Sequence, residues 1–147
     1  MLAACGGDDS DDSDMGDMAG STPMSVAGAD LTVNLNNWAI NPSTMELGAG
    51  TIKVAAVHAM DHAANAKDGG AMHQLVIAKL EPGAKAGQGK YGKLALNLTD
   101  IKMGETKTGE AVLDAGTYEL ACLMVEEAGG KTYNHYEKGM FTTLTVK

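Results

Sequence analysis

The sequence predicts an all-β fold, an antiparallel β-sandwich or barrel, with a disordered acidic tail at the N-terminus. Three observations support this fold class. Short segments alternate apolar and polar residues, as strands with one buried face do. Turns rich in glycine and polar residues separate these segments, and hardly any stretch has helical periodicity. At 147 residues, the chain is long enough for one domain and a tail.

Residues 1–29 have the composition of a disordered tether, and residues 30–147 that of a folded domain. Residues 6–29 are mainly glycine, aspartate, serine and methionine, which offer almost nothing to bury. The formal net charge of -8 is concentrated there, since residues 1–30 hold seven aspartates and no lysine. The remainder holds 12 of the 19 acidic residues against all 11 lysines. This balance excludes a basic nucleic-acid-binding domain and provides no lysine cluster for an anionic membrane surface.

A short motif stands at the start of the tether. Leu2-Ala3-Ala4-Cys5, followed by Gly6, resembles the lipobox of bacterial lipoproteins, in which the cysteine is acylated and becomes the mature N-terminus. The resemblance implies a lipid on Cys5 and a periplasmic or other extracytoplasmic location. The alternative is a chance match at the start of a disordered arm. No apolar run reaches the roughly 18 residues of a membrane span.

The alternation assigns strands along residues 30–147. Leu31, Val33 and Leu35 alternate with polar residues, so the first strand is half-buried with this face inward. Further strands are predicted at 45–47, 51–57, 73–80, 116–122 and 141–146, and a short strand or helical turn at 94–98. Polar and glycine-rich stretches predict loops at 58–72, 82–92 and 100–110. Many short strands with so little helix favour a two-layer β domain.

The strand at 116–122 carries a cysteine to its end, and a histidine and a methionine follow it. Tyr118, Leu120 and Cys122 share an apolar face if the strand alternates, so the Cys122 sulfur should point inward. A polar loop then leads to His135 and Met140. Thiolate, imidazole and thioether are the ligand set of a mononuclear electron-transfer copper, provided that a second histidine joins them.

His73 is the candidate for that second histidine, because it opens the apolar strand at 73–80. We expect His135, in its polar loop, to be the ligand nearest to solvent. A second and weaker cluster consists of His58, Met60 and His62. The two histidines would share a face of a helix and could bind another metal, or the segment is simply a solvated loop.

These residues resemble a known family. Residues 113–122 are similar to the Gly-x-Tyr-x-x-x-Cys strand of the cupredoxins, the small blue copper proteins. The spacing His135-x4-Met140 resembles the end of their ligand loop, and residues 73–75 resemble their upstream His-Glu-Leu or His-Asn-Phe. The resemblance covers roughly residues 31–147 and is most specific in the C-terminal third. It implies a Greek-key β-sandwich that holds one copper ion per chain.

Position by position, the resemblance implies His73, Cys122 and His135 as equatorial copper ligands and Met140 as the weak axial one. Gly139, next to Met140, would let the chain approach the metal without a side chain in the way.

The sequence departs from the family pattern in two places. Twelve residues separate Cys122 from His135, where family loops are usually shorter. The asparagine expected just after the strand at 51–57, which braces the ligand loops in the family, has no clear counterpart. His58 occupies about its place. The loop geometry and the hydrogen bonds around the ligands are therefore the parts that the resemblance predicts least.

The predicted function is that of an electron carrier, which passes single electrons between redox-partner proteins of the cell envelope by Cu(I)/Cu(II) cycling. No Ser/His/Asp set, phosphate-binding loop or inward carboxylate pair is recognisable, and four ligands leave copper no open position. We therefore expect no enzyme. We expect a monomer with transient redox partners, no nucleic-acid partner, and membrane attachment only through a lipid on Cys5.

Two other functions are compatible with the sequence. One is a periplasmic copper chaperone or storage protein, which would use further candidate ligands beside the core site: Met15, Met18, His58, Met60 and His62. The other is a metal-free β-sandwich that serves as an adhesion or scaffold module.

Overall fold

In a computed structural model, the described residues are 25–59 and 69–147, and they form eleven strands in chain order. The strands are β1 Leu31–Asn36, β2 Ala39–Pro42, β3 Glu46–Leu47, β4 Gly50–His58, β5 Met72–Leu80, β6 Tyr91–Lys102, β7 Thr106–Leu113, β8 Gly116–Ala121, β9 Val125–Ala128, β10 Lys131–Asn134 and β11 Phe141–Val146. Within these ranges no helix is long and apolar enough to cross a membrane. Cys5 and the methionines of the tether lie outside the described residues, as do Met60 and His62.

Two sheets form the sandwich. The first has the strand order β2-β1-β4-β7, the second has the order β3-β11-β8-β5-β6, and β9 and β10 form a separate hairpin. The chain changes sheet between β4 and β5, between β6 and β7, and again between β7 and β8. Such crossings between two layers are the connections of a Greek-key sandwich. The predicted all-β sandwich is confirmed.

The sheets are mixed rather than purely antiparallel. β1 pairs parallel with β4, and β3 pairs parallel with β11. The first parallel pair is possible because the chain between β1 and β4 passes through β2 and then through β3 in the other sheet. That excursion supplies the crossover that parallel neighbours require. The alternation of residues within a strand does not reveal which direction its neighbour runs.

The core lies between the sheets and consists of the inward-facing residues of both. Leu31, Val33 and Leu35 of β1 are fully buried, as the alternation predicts, but Thr32 and Asn34 are buried as well, so the prediction of a half-buried strand is wrong. Leu75 and Ile77 of β5 meet them in the same apolar cluster. Each such side chain contributes roughly 1.5–3 kcal/mol on burial. Strand β5, which carries His73, and strand β8, which directly precedes Cys122, lie in the interior of the second sheet.

Strand β6 is longer than the sequence predicts, and β7 begins where the sequence predicts a loop. Residues 94–98, expected as a short strand or helical turn, are the middle of the 12-residue strand β6. Residues 100–110, expected as a loop, belong mostly to β6 and β7. β6 is an edge strand whose residues are largely half-buried or exposed, so its apolar pattern is weak. Register shifts in its pairing with β5 interrupt the period-two alternation further.

Candidate metal centre

The candidate ligands meet at one end of the second sheet. His73 is the second residue of β5, and Cys122 directly follows β8, the antiparallel neighbour of β5. Met140 directly precedes β11, the other antiparallel neighbour of β8, and His135 directly follows β10. Antiparallel neighbours place the start of one strand beside the end of the next, so these positions converge.

The donor atoms of the three predicted equatorial ligands form a small triangle. His73 Nδ1 lies 3.2 Å from His135 Nδ1, and Cys122 Sγ lies 3.3 Å from the same atom. All three donor atoms lie within 4.8 Å of one another, and all three residues are fully buried. Bonds of about 2.0 Å to imidazole and about 2.3 Å to thiolate, meeting at tetrahedral angles, separate donor atoms by about 3.3–3.5 Å. The triangle therefore fits one small metal ion.

The surroundings of Cys122 suit a thiolate only when a cation is near. Burial raises the pKa of the Cys122 thiol, and the Glu126 carboxylate raises it further, while backbone hydrogen bonds from Met124 and Gln74 act in the opposite direction. The Gln74 N–H donates to Sγ at 3.3 Å. A bound metal cation supplies the positive charge that deprotonates such a thiol. The donated hydrogen bond then stabilises negative charge on the sulfur.

Both triangle histidines are electrically neutral donors near neutral pH. Burial, together with the neighbouring His58 and His135, lowers the pKa of His73 to about 3. Burial also lowers the pKa of His135, against opposing effects of the Glu126 carboxylate and the Gly69 backbone. A neutral imidazole keeps a lone pair on one nitrogen, which is the form that binds metals. The site is therefore ready to accept a metal without losing protons from these two rings.

Met140 is held beside the triangle by its backbone. Its N–H donates to the His135 carbonyl at 3.1 Å, and its carbonyl accepts from the Cys122 N–H at 3.0 Å. The residue is fully buried and belongs to the apolar cluster. The structure gives another reason for a glycine at position 139 than room for the metal. A Cβ at Gly139 would meet nothing within 4 Å, but its φ of +99° is a conformation that other residues rarely adopt.

Comparison with known proteins gives the architecture a name. No protein-family model matches the chain, and no curated protein matches its sequence. Among solved structures, reduced auracyanin from the photosynthetic bacterium Roseiflexus castenholzii is similar with a TM-score of 0.52 and 19% identity, over 79% of this chain and 94% of auracyanin. Reduced rusticyanin is similar with a TM-score of 0.51 and 19% identity, over 80% of this chain and 77% of rusticyanin. The chain has the cupredoxin fold. The predicted resemblance is thus confirmed at the level of the fold.

His58 takes part in this cupredoxin fold in a way that the sequence does not suggest. It was expected at the start of a polar loop, but it is the last residue of β4 and is fully buried. Its Nδ1–H donates to the Ile101 carbonyl at 3.0 Å. Its ring lies 4.3 Å from that of His73, centroid to centroid. His58 therefore belongs to an extended strand and not to a helix, and its ring packs against that of His73. His62 lies outside the described residues.

Trp38 covers the site at its outer edge, which corrects the expectation that His135 is near solvent. The Trp38 ring meets the His135 ring edge-on, with centroids 5.2 Å apart, and stacks on Tyr133 at 6.0 Å. Lys138 Nζ lies 5.8 Å from the centre of the Trp38 ring. Trp38 has a positive φ of 63°, which is rare for a residue other than glycine. The sequence offers one signal for this role of Trp38: it is the chain's single tryptophan and stands close to the end of a predicted strand.

A buried carboxylate fastens the segment that follows His135. Glu119 is fully buried, and its Oε2 accepts hydrogen bonds from the Gly87 N–H at 2.6 Å and the Tyr136 hydroxyl at 3.3 Å. The Tyr136 oxygen accepts in turn from the Gly89 N–H at 2.9 Å. Burial raises the pKa of Tyr136, so the hydroxyl keeps the proton that it donates. In this cupredoxin fold the residue after a candidate ligand is therefore anchored to the interior of the second sheet.

Proposed function

We propose that this protein is a mononuclear copper electron carrier, with His73, Cys122 and His135 as equatorial ligands and Met140 as the axial ligand. One observation carries the proposal: a fully buried His₂Cys triangle of single-metal size at the end of a cupredoxin sheet. This donor set is typical of blue-copper electron-transfer sites. Copper bound there supplies one-electron chemistry by cycling between Cu(I) and Cu(II).

The arrangement of the chain favours electron transfer because it restricts movement at the site. His73 and Cys122 are held by β5 and β8, which lie in the interior of the second sheet. The His135 and Met140 backbones are joined to each other and to Cys122 by hydrogen bonds. A site that keeps its geometry in both oxidation states loses little energy to rearrangement when an electron enters or leaves.

The same enclosure argues for a carrier rather than an enzyme. The four proposed ligands are fully buried, and Trp38 covers the His135 ring. Four protein ligands leave no coordination position for a substrate, in contrast to catalytic metal sites, which keep one open. We infer that redox partners exchange electrons transiently with the monomer, without nucleic acid.

The proposal includes a location outside the cytoplasm. The lipobox-like residues that end in Cys5, followed by an acidic tether, support anchoring to a membrane of the cell envelope through a lipid. Fractionation of the native host tests this location, since replacing Cys5 with serine should release the protein into the soluble fraction.

Loading the apo-protein with Cu(II) tests the proposed function. We expect one copper per chain, an intense visible band from charge transfer between thiolate and copper, and reversible one-electron cycling in voltammetry. A copper chaperone or store would bind Cu(I) without colour, and a scaffold module would bind no stoichiometric metal. Either result would contradict an electron carrier.

Met140 should tune the reduction potential more than it holds the metal. Met140→Leu should retain copper and colour while raising the potential, because Cu(II) loses a donor that Cu(I) needs less. Met140→Gln should lower the potential, because a harder oxygen donor favours Cu(II). We expect each change to alter the ratio of the two copper affinities by about tenfold or more, which is about 59 mV per tenfold. Potentials equal to that of the wild type in both variants would make Met140 a packing residue only.

A further inference from the structure

The hairpin of β9 and β10 fills most of the long interval between Cys122 and His135, and it carries two adjacent glutamates. Glu127 is exposed, as expected for a polar hairpin. The Glu126 side chain is only 11% exposed and turns towards the metal centre. A carboxylate that loses most of its contact with water needs compensating partners. The partners of Glu126 are a backbone N–H of the segment that carries His73 and the side chain of His135.

Each oxygen of the Glu126 carboxylate contacts a different segment. Oε1 accepts a hydrogen bond from the Met72 N–H at 3.1 Å, directly before His73 on β5. Oε2 lies 3.3 Å from Nε2 of His135, a close polar contact without full hydrogen-bond geometry. Neither of these two atoms has a partner of full hydrogen-bond geometry among the described residues, and the Gly69 backbone is the other polar group that interacts with the His135 ring. One carboxylate therefore spans the segments that carry both histidines of the triangle.

The two nitrogens of His135 face opposite surroundings. Its Nδ1 lies 3.2 Å from His73 Nδ1 and 3.3 Å from Cys122 Sγ, so this nitrogen is the one that faces the metal position. A ligating nitrogen offers its lone pair, so the ring proton belongs on Nε2, where the Glu126 carboxylate can attract it. Carboxylates placed on the outer nitrogen of a ligating histidine fix its tautomer and make it a stronger donor.

We propose that Glu126 is a positioning residue of the metal centre, which orients the His135 ring and biases the site towards the oxidised metal by its negative charge. The inference rests on the proposed function for its redox part only. A fixed anion stabilises a dication more than a monocation at the same place, because the Coulomb energy is proportional to the charge. This role also accounts for the length of the ligand loop, because the β9–β10 hairpin within it places the Glu126 carboxylate beside His135.

The test compares Glu126→Gln with Glu127→Gln. The first variant keeps an amide oxygen that can accept from the Met72 N–H but removes the charge beside His135. The second removes the same charge from an exposed side chain one residue away. We expect E126Q to lower the Cu(II) affinity relative to the Cu(I) affinity by about tenfold, which raises the potential by about 59 mV. E127Q should change that ratio less than twofold. Equal shifts in the two variants would overturn the proposal.

Zinc affinity of the apo-protein gives a second readout that needs no redox chemistry. Loss of an outer carboxylate typically weakens metal binding by about 10- to 100-fold, so E126Q should bind Zn²⁺ correspondingly more weakly, and E127Q should not. This result together with a colourless copper complex of the wild type would reject the proposed electron carrier and retain the positioning role. Wild-type zinc affinity in E126Q would overturn the positioning role.

Glu126→Asp separates charge from fit and provides a variant if E126Q folds poorly. The aspartate keeps the negative charge near His135 but shortens its reach to Met72. We expect the potential of E126D to stay closer to that of the wild type than the potential of E126Q does. A potential in E126D as high as that in E126Q would overturn the role of the charge.

Discussion

Replacement of Cys122 by alanine should abolish the visible band of the copper-loaded protein and weaken Cu(II) binding by more than about a hundredfold. The expectation follows from the site, where Cys122 Sγ is the triangle's only sulfur and lies 3.3 Å from His135 Nδ1. Loss of an outer-shell partner alone costs about 10- to 100-fold in metal affinity, so loss of an inner ligand should cost more. Titration with Cu(II), followed by absorption and by competition with a chelator, measures both effects.

Cys5→Ser is the matched control, because it removes the chain's other cysteine and leaves the triangle intact. It should keep the band and the affinity of the wild type. The alanine variant should still fold, since a single small deletion in a core typically costs about 1 kcal/mol, which chemical unfolding of the apo-protein can verify. Full colour in Cys122→Ala would show that Cys5 supplies the thiolate and that the triangle is not the copper site.

The inner ligands could be predicted from the sequence because each stands where a local pattern places it. In the sequence, Cys122 ends the predicted strand 116–122 and His73 opens the predicted strand 73–80, and strand alternation assigns the Cys122 side chain to the interior. The order of Cys122, His135 and Met140 then selects one known arrangement. The pattern does not give distances between ligands. The 3.2 Å approach of the two histidine nitrogens depends on how the segment after β10 packs against the start of β5.

The outer groups could not be predicted, because their roles depend on how distant segments pack. Glu126 and Glu127 are identical in the sequence, and only the docking of the hairpin decides which one is buried. His58 stands in a polar run, yet β4 extends far enough to bury it against His73. Trp38 reaches His135 through a positive φ that no local rule predicts for tryptophan. Glu126 and His58 stand at the two departures from the family pattern, where the resemblance carries least information.

Acid should destabilise the apo-protein strongly, because the folded state resists protonation of His73. Its pKa is about 3 in the folded protein, owing first to burial and then to His58 and His135, against about 6.5 for an unperturbed histidine. Well above pH 6.5 the ring is neutral in both states, and pH has no effect on stability through it. Between pH 6.5 and about 3 the unfolded chain binds a proton that the folded chain does not. Each unit in that window costs up to about 1.4 kcal/mol, so about 3 kcal/mol is lost by pH 4.5.

Urea unfolding of the apo-protein at pH 7 and pH 4.5 measures this loss, and His73→Gln provides the comparison. The variant lacks the titrating ring. The decrease in its free energy of unfolding from pH 7 to pH 4.5 should therefore be smaller than that of the wild type by up to about 3 kcal/mol, whatever its stability at pH 7. His135, whose pKa burial also lowers, should leave a smaller residual decrease in the variant. An identical decrease in both proteins would mean that His73 is protonated in the folded state, and its Nδ1 would then be unavailable to a metal at mildly acidic pH.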